Sequence, residues 1–369
     1  MDIVHNFSGL PTEELFGLAQ RENNSKRLNL LVNRFQAKHV PCDPVKSLAL
    51  FDALAEQIKI TDDPDSILVI GFAETATAIG AQVAVKLGAE YYIHTTREDF
   101  PVEYLCADFS EEHSHASAQR LYTDKSDLFE GIRHIVFVDD ELTTGKTIIN
   151  FIRALSGKVA GDVKYHAVCI VNGQNDENSR IFSDMGIDVA YLVKIEDTLT
   201  DMNTPLDFIK EQPVKPIPVN KGYELIEIRC QRDARLGIKP DEYISFCQEA
   251  AGCVEKYITP GTKVDVIGTE EFMFPAIFAA ARLQKNGVQV TCHSTTRSPI
   301  VPGKGNYPLH RRYDLTSLYE KDRRTFIYDL APCDAAVVMC DSRDIPPESL
   351  DLLMTCIDAK KILLVKVLY

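Results

Sequence analysis

The chain has 369 residues, a hydrophobic fraction of 45% and a formal net charge of −14 at pH 7. This length predicts two domains, and the apolar content is enough for a buried core in each of them. A negative chain without a cluster of Lys and Arg lacks the basic face that neutralises a phosphate backbone, so no nucleic-acid partner is expected.

The sequence also bears on membrane association and compartment. Its longest apolar stretches, such as Ile67–Ile70 and Ile362–Val365, are too short to cross a bilayer. The first 16 residues lack the basic region and apolar run of a signal peptide. Ten cysteines are scattered without a CxxC pair, which predicts free thiols. We therefore expect a cytoplasmic protein with no membrane partner.

Residues 1–45 are predicted to form an N-terminal lead-in that contains a short helix ending near Lys38. Apolar residues recur there at the three- and four-residue spacing of a helix. The residues that set this spacing are Leu28, Leu31 and Phe35. Pro41 and Pro44 are expected to end the helix.

Residues 46–203 alternate between predicted helices and short apolar strands. The helices are Ser47–Ile58, a stretch that ends at Leu87, and Thr147–Leu155; the strands are Ile67–Gly71, Tyr91–His94, Ile135–Val138, Ala167–Val171 and Val189–Val193. This alternation is typical of an α/β fold whose parallel sheet carries helices on both faces. Ligands of such sheets bind at the carboxyl ends of the strands, where Gly71 and Asp139 lie.

Residues 204–221 are predicted to be a linker, because Thr204–Asn220 has four prolines and no periodicity. A second α/β domain is predicted over residues 222–369. Its strands are Lys263–Ile267, Val288–Cys292, Ala335–Met339 and Ile362–Val367.

A weak internal repeat relates the two halves. In each half, VIG ends a strand and TTR follows, and the glycine and arginine are 26 residues apart at Gly71 and Arg97 and 29 apart at Gly268 and Arg297. One interpretation is that the second domain is a degenerate copy of the first; the alternative is two unrelated α/β domains.

The segment His134–Phe151, HIVFVDDELTTGKTIINF, carries the strongest functional signal. Its strand ends on Asp139 and Asp140, and adjacent carboxylates suit the two hydroxyls of a ribose. The following turn, Thr143–Thr147, opens a helix, whose free N–H groups and dipole suit a 5′-phosphate. The residues of this turn are Thr143, Thr144, Gly145, Lys146 and Thr147.

The segment has two other interpretations. TGKT resembles the end of a Walker A loop, but that motif needs glycine where this chain has Asp140. The acid pair can also serve only to cap the helix, which does not explain the order of strand, acids and turn.

The segment resembles the ribose-phosphate signature of type I phosphoribosyltransferases, which use 5-phosphoribosyl 1-pyrophosphate (PRPP). The resemblance implies that Asp139 and Asp140 bind the ribose hydroxyls directly or through Mg²⁺, the expected cofactor, and that Thr143–Thr147 holds the 5′-phosphate. Hypoxanthine-guanine members have Asp at the position of Thr143, so purine-type base chemistry from this turn is in doubt.

The same resemblance assigns roles to two segments upstream. GFAETATAIG begins with the implied pyrophosphate loop, whose residues are Gly71, Phe72, Ala73, Glu74 and Thr75. Small residues let main-chain amides approach an anion, although they also occur where a helix packs on a sheet. Arg97 is the implied pyrophosphate clamp, with a solvated surface arginine as the alternative.

The polar segment 99–123 matches the mobile loop that closes over the active site in this family. Glu112, His113 and His115 are its candidate catalytic residues, because imidazole titrates near neutral pH. A solvated loop is the second interpretation. A zinc site is the third, since an HxH pair without further clustered ligands is a weak metal signal.

The second half, with STTRSPIVP, resembles the TRSP domain of bacterial phosphoribosyltransferases from tellurite-resistance and stress gene clusters. It lacks an acid pair followed by a turn. An acceptor pocket or second-domain pocket is predicted from Lys38, His39, Thr269, Glu270, Glu271 and Arg297. The alternative is a scaffold or dimerisation domain.

The resemblance therefore implies a phosphoribosyltransferase that joins PRPP to a nitrogen acceptor, releases pyrophosphate and makes a nucleotide-like metabolite. The expected partners are PRPP and a small-molecule acceptor, and the resemblance implies a homodimer. The alternative is a PRPP-binding sensor without catalysis.

Overall fold

The structure is a computed structural model that describes residues 2–22, 28–109, 119–159, 161–196 and 204–369. All ten cysteines lie in these ranges and are free thiols. Across these ranges, no helix has both the length and the apolar character needed to span a membrane.

The strands of the described residues are named in chain order. They are β1 (Asp2–Asn6), β2 (Phe16–Gln20), β3 (Asn29–Asn33), β4 (Ile67–Gly71), β5 (Tyr91–His94), β6 (Leu105–Phe109), β7 (Gln119–Tyr122), β8 (His134–Leu142), β9 (Lys164–Asn172), β10 (Ile187–Glu196), β11 (Glu224–Arg229), β12 (Lys263–Gly268), β13 (Gln289–Ser294), β14 (Arg312–Thr316), β15 (Arg324–Tyr328), β16 (Cys333–Cys340) and β17 (Ala359–Leu368).

The helices of the described residues are named in the same way. They are α1 (Thr12–Leu15), α2 (Pro44–Ala55), α3 (Thr77–Leu87), α4 (Lys146–Leu155), α5 (Asp176–Asp184), α6 (Pro240–Glu255), α7 (Phe274–Lys285) and α8 (Pro347–Cys356).

The chain forms two compact units, each made of separate stretches of sequence. The first unit comprises the described residues of Met1–Gly9, Leu50–Thr198 and Gln231–Phe246. The second comprises those of Leu10–Ala49, Leu199–Cys230 and Cys247–Tyr369.

The first unit is built on a six-stranded sheet in the order β1-β10-β9-β8-β4-β5. Its strands are parallel except for β1, which runs antiparallel to β10 at the edge. Central strands are buried along their length, as expected when helices cover both faces: every residue of β4 is buried. An α/β fold with a mainly parallel sheet is confirmed.

The second unit contains a five-stranded parallel sheet in the order β11-β17-β16-β12-β13. A second α/β domain is thus also confirmed. The β2–β3 hairpin belongs to this unit, where Ala19, Leu30 and Val32 form a buried cluster with Ile300 and Phe326.

The predicted helix ending near Lys38 is wrong, because the structure has strand β3 in this region. Leu30, Leu31 and Val32 are all buried, and β3 pairs with β2. A strand that is buried on both faces lacks the alternation of apolar and polar residues by which a strand is recognised. The spacing of Leu28, Leu31 and Phe35 therefore resembled that of a helix. Pro44 does not end a helix but begins α2, since proline is tolerated in a first turn.

Each unit has the same pattern of hydrogen bonds, here called the framework, at the carboxyl ends of two of its neighbouring strands. In the first unit, Thr95 N donates to Gly71 O (2.9 Å) and Ala73 N donates to Thr95 Oγ1 (2.8 Å). In the second, Thr295 N donates to Gly268 O (3.0 Å) and Glu270 N donates to Thr295 Oγ1 (3.0 Å). The VIG and TTR segments therefore take the same local structure twice.

A hairpin follows this framework in each unit. Thr96 exchanges main-chain hydrogen bonds with Arg120, next to the β6–β7 hairpin, and Thr296 does so with Phe326 of the β14–β15 hairpin. The next parallel strand, β8 or β16, then pairs with β4 or β12. The second unit thus repeats the order strand, helix, strand, hairpin, strand and helix.

Candidate functional site

The predicted acid pair lies at the carboxyl end of β8, in the interior of the first unit's sheet. Val138 pairs with Gly71 of β4, so the two segments end side by side. Asp140 N donates to Asp139 Oδ1 at 2.9 Å, and Thr75 Oγ1 donates to Asp140 Oδ1 at 3.0 Å. The structure therefore brings the acid pair together with the predicted pyrophosphate loop.

The surroundings of Asp139 disfavour the charged form of its carboxyl group. Burial, and then the neighbouring charge of Asp140, raise the pKa of Asp139 well above its usual range. Placing two carboxylates side by side in a partly buried site costs free energy unless a cation or hydrogen-bond donors offset the repulsion.

The turn after the acids leads into α4 and exposes its N-terminus. Gly145 has φ of 69°, and a Cβ there would lie 2.2 Å from Phe182 Cζ, so only glycine fits. No side chain caps the helix in the strict sense; Lys146 N makes only a long contact of 3.4 Å with Thr144 Oγ1. Thr144, Lys146 and Thr147 are exposed, so the turn presents donors and a positive helix end to an anion.

The predicted pyrophosphate loop is packed closely against the helix that follows it. A Cβ at Gly80 of α3 would lie 2.9 Å from Gly71 Cα. Phe72 N donates to Val138 O at 3.0 Å, and the peptide bond between Ala73 and Glu74 is cis. Two of the loop's amides, those of Phe72 and Ala73, are thus used to fix its position.

Arg97 follows β5 by three residues and is partly buried. The framework residue Thr95 lies beside it and donates a hydrogen bond to Gln119 Oε1 at 2.8 Å. Gln119 begins β7, so this bond joins the far strand of the hairpin to the loop at Ala73. Gln119 could not be predicted from the sequence, since a single glutamine in a polar segment forms no pattern.

The candidate catalytic residues Glu112, His113 and His115 lie outside the described residues. The described parts of the hairpin flank them: Arg120 forms ion pairs with Asp99 (2.5 Å) and Asp108 (3.6 Å).

The predicted acceptor or second-domain residues all belong to the second unit, where several of them meet at the carboxyl ends of β12 and β13. Lys38 Nζ donates to Glu270 O (2.6 Å) and Thr295 O (3.2 Å). Arg297 Nε and Arg323 Nη2 donate to Glu270 Oε2, at 2.7 and 3.0 Å. Thr269 Oγ1 lies 2.7 Å from Tyr319 Oη. Glu271 and His39, which follow Glu270 and Lys38 in the sequence, are also buried.

The second unit does not repeat the acid pair. Gly268 pairs with Met339, as Gly71 pairs with Val138, so Cys340 and Asp341 take the register positions of Asp139 and Asp140. Helix α8 begins six residues after Asp341, as α4 begins six residues after Asp140, but Pro346 and Pro347 stand at this turn. Proline has no N–H, so this turn lacks donors that an anion site needs.

The acid pair fits Mg²⁺, which prefers oxygen ligands and is often held by one or two carboxylates plus substrate phosphates. A divalent cation would also offset the repulsion between Asp139 and Asp140. Among the described residues, no group of three or more His, Cys, Asp or Glu side chains is placed to hold a metal. Oxygen atoms of a bound substrate would therefore have to complete the coordination.

Two family models match this chain. Residues 15–198 match the model described as phosphoribosyl transferase, and residues 232–357 match the model described as the TRSP domain C-terminal to it. Residues 15–198 are therefore similar to the phosphoribosyl transferase family, and residues 232–357 are similar to the TRSP domain that follows it. No curated protein matches the chain in sequence.

Solved structures similar to this chain include adenine phosphoribosyltransferases. The Trypanosoma brucei protein, in complex with AMP, pyrophosphate and ribose-5-phosphate, is 13% identical, with 56% of this chain and 92% of that chain covered and a TM-score of 0.34. The Leishmania tarentolae protein is 13% identical, with 52% and 88% covered and a TM-score of 0.31. The Leishmania donovani protein is 14% identical, with 51% and 78% covered and a TM-score of 0.33.

Proposed function

We propose that the first unit transfers the phosphoribosyl group of PRPP to a nitrogen atom of a small, nucleobase-like acceptor and releases pyrophosphate. The observation that carries this proposal is the pair Asp139 and Asp140 beside the accessible N-terminus of α4. A ribose 5-phosphate needs a carboxylate for its hydroxyls and amide donors for its phosphate, and the site offers both next to each other.

In the proposed reaction, the acceptor nitrogen forms a bond to C1 of the ribose while the bond from C1 to pyrophosphate breaks, so C1 is inverted. Positive charge develops on the sugar, close to the carboxylates of Asp139 and Asp140. Negative charge develops on the leaving group, which we assign to Arg97 and the main chain of the loop around Glu74 and Thr75. Bound Mg²⁺ would neutralise part of the charge on the pyrophosphate.

The remaining predicted residues are assigned to proton transfer and to the acceptor. Glu112, His113 and His115 stay candidates for a proton-transfer group, with closure of their segment keeping water away from the sugar cation. The set Lys38, His39, Thr269, Glu270, Glu271 and Arg297 stays a proposed pocket of the second unit for an acceptor or product.

The wider setting is part of the same proposal. We propose that the product is a nucleotide-like metabolite of the stress response that accompanies tellurite resistance, a proposal that rests on the sequence resemblance alone. We also propose a cytoplasmic homodimer, by analogy with the family.

The test is pyrophosphate release from PRPP and Mg²⁺, with a panel of nucleobases and a small-molecule cell extract as acceptor sources. The control is the Asp139→Asn/Asp140→Asn double variant. Release that requires one acceptor and is lost in the variant is the expected result. Detectable PRPP binding without release from any source would contradict catalysis and leave a PRPP sensor.

A further inference from the structure

The second unit contains a cavity of about 1030 Å³ that the proposed transfer does not use. Separate stretches of sequence line it: the end of the β2–β3 hairpin near Arg34, the proline-rich segment near Glu211, and the loop between β13 and β14 near Arg311. A smaller cavity of about 540 Å³ shares Arg34, Lys304 and Pro308 with it.

The proline-rich segment, predicted to be a linker, forms one wall of this cavity. Its main chain is fixed by hydrogen bonds from Glu211 N to Pro302 O (2.8 Å), Lys304 N to Ile209 O (2.9 Å) and Val214 N to Arg312 O (2.7 Å). Four prolines limit the conformations of the unfolded segment, which reduces the entropy cost of holding it in place. The wall is therefore a fixed part of the second unit.

The cavity carries more positive than negative side chains, although the whole chain has a net charge of −14. The cations are Arg34, Lys304 and Arg311, and the carboxylates are Glu211 and Asp329. Glu211 is paired with Lys304 at 2.9 Å. The Asp329 carboxylate accepts main-chain hydrogen bonds from His310 N (3.0 Å) and Arg311 N (2.6 Å), which fix the loop.

Two guanidinium groups are left to face the cavity. Within the described residues, neither Arg34 nor Arg311 forms an ion pair, and Arg311 Nη1 makes only a long contact of 3.4 Å with Tyr313 Oη. Arg34 Nε is buried away from water without an acceptor in the described structure. A buried donor that lacks an acceptor is unfavourable, and the oxygens of an anion are the kind of acceptor that would satisfy it.

Beside the charged groups and the polar side chains of Gln212 and His310, the lining includes an apolar surface that suits an organic group. Val40, Pro41, Val214, Pro308 and Leu330 provide this surface. Guanidinium groups bind phosphate through two parallel hydrogen bonds, and a phosphate monoester carries most of two negative charges near neutral pH. We propose that this cavity binds a small organic phosphate monoester, with its phosphate on Arg34 and Arg311 and its organic part on the apolar wall.

The test is titration calorimetry of the full-length protein with phenyl phosphate, using phenol as the phosphate-free probe. The Arg34→Ala/Arg311→Ala variant should lose a binding component, because each charge-assisted contact is worth roughly tenfold or more in affinity. Arg180→Ala, an exposed arginine of the first unit, is the matched control and should bind as the parent does. Phosphate held at residues 143–147 is unaffected by these changes, so the lost component belongs to the cavity.

Two further variants separate a loss of binding from a loss of folding. Arg311 is exposed, so Arg311→Ala alone leaves the packing intact and should still weaken binding roughly tenfold. Arg34→Lys retains the charge but loses the planar fork, and should bind more weakly than the parent and more tightly than the double variant. Unchanged affinity in the folded Arg311→Ala and double variants, or phenol binding as tight as that of phenyl phosphate, would overturn the proposal.

Discussion

Glu270 holds together the side-chain cluster at the carboxyl end of the second unit's sheet. Its carboxylate accepts from Arg297, Arg323 and the hydroxyl of Ser317, and the side chain is only 1% exposed. Its φ of 48° is unusual for a residue other than glycine. In the shared framework Glu270 corresponds to Ala73 and Arg297 to Arg97, so the second unit has a buried carboxylate paired with this arginine where the first unit has an alanine.

Replacing this carboxylate should destabilise the second unit. Glu270→Gln removes the buried carboxylate that Arg297 and Arg323 share, and removing one partner of a buried ion pair costs roughly 3–5 kcal/mol. Glu320→Gln is the matched control: Glu320 also pairs with Arg323 but is exposed, so the expected cost is at most about 1 kcal/mol. Urea unfolding of both variants measures the difference, and equal losses would contradict the role given to Glu270.

Gly145 allows a separate test of the phosphate turn. Gly145→Ala combines a left-handed conformation, which costs an L-residue roughly 1–2 kcal/mol, with a clash against the buried ring of Phe182. Gly157 has a similar φ of 83°, but no atom lies within 4 Å of the Cβ that Gly157→Ala would add, so only the left-handed backbone conformation destabilises this variant. Gly145→Ala should therefore lower thermal stability more than Gly157→Ala. A smaller or equal loss would show that the turn adapts.

At the scale of single elements, the strands and helices that could be predicted are those with a recognisable pattern within their own sequence. Strands β4 and β8 contain short apolar runs that lead directly to Gly71 and Asp139, and α4 has a regular apolar face, so each could be recognised alone. The β2–β3 hairpin could not, because its burial depends on Ile300 and Phe326, which are more than 250 residues away in sequence. The contacts of the proline-rich segment have a related cause: its hydrogen-bond partners include Pro302, Lys304 and Arg312, which are about 90 residues or more away in sequence, and no local pattern reveals them.

The amino edge of the first unit's sheet contains a buried histidine pair that links neighbouring strands. His134 Nδ1 of β8 lies 2.9 Å from His166 Nε2 of β9, and His134 Nε2 lies 2.8 Å from Asp62 Oδ2. Asp188 of β10 lies 3.6 Å from the far nitrogen of His166. Burial lowers the pKa of His166 to about 4, partly opposed by Asp188 and assisted by His134 and Lys164.

This histidine should make stability depend on pH. Below its ordinary pKa of about 6.5 the unfolded chain binds a proton at this residue, while the folded state does so only near pH 4. The contribution of neutral His166 to the free energy of unfolding is therefore complete above pH 6.5. As the pH falls to 4, this free energy decreases by up to roughly 3 kcal/mol. In His166→Gln, the difference from the parent in unfolding free energy should shrink over this range. The exposed His5→Gln is the control, and a constant difference for His166→Gln would contradict the assignment.

At the scale of the whole chain, two units with the same framework differ at the residues that would bind PRPP. Both keep the strand, the Thr-Thr-Arg segment, the hairpin and the following strand, which is why the short sequence repeat was detectable. The acids and the turn are kept in one copy alone: Asp139 and Gly145 are replaced by Cys340 and Pro346. The sequence could show which half carries the signature. It could not show that Glu270 is buried and paired at the position of Ala73 in the other half, because that depends on a fold around Arg297 and Arg323.

The shared register provides a matched pair of variants for deciding where PRPP binds. Ligand that binds only the folded state stabilises it by about 2.7 kcal/mol at a concentration of 100 times Kd, so PRPP with Mg²⁺ should raise the Tm of the parent protein. Asp140→Asn should abolish most of this shift. Asp341→Asn, at the equivalent position of the second unit, should lower the starting Tm, because Tyr319 and Tyr369 donate to its carboxylate, yet keep the shift. Loss of the shift in Asp341→Asn but not in Asp140→Asn would move PRPP binding to the second unit, and loss in both would show that binding at one unit depends on the other.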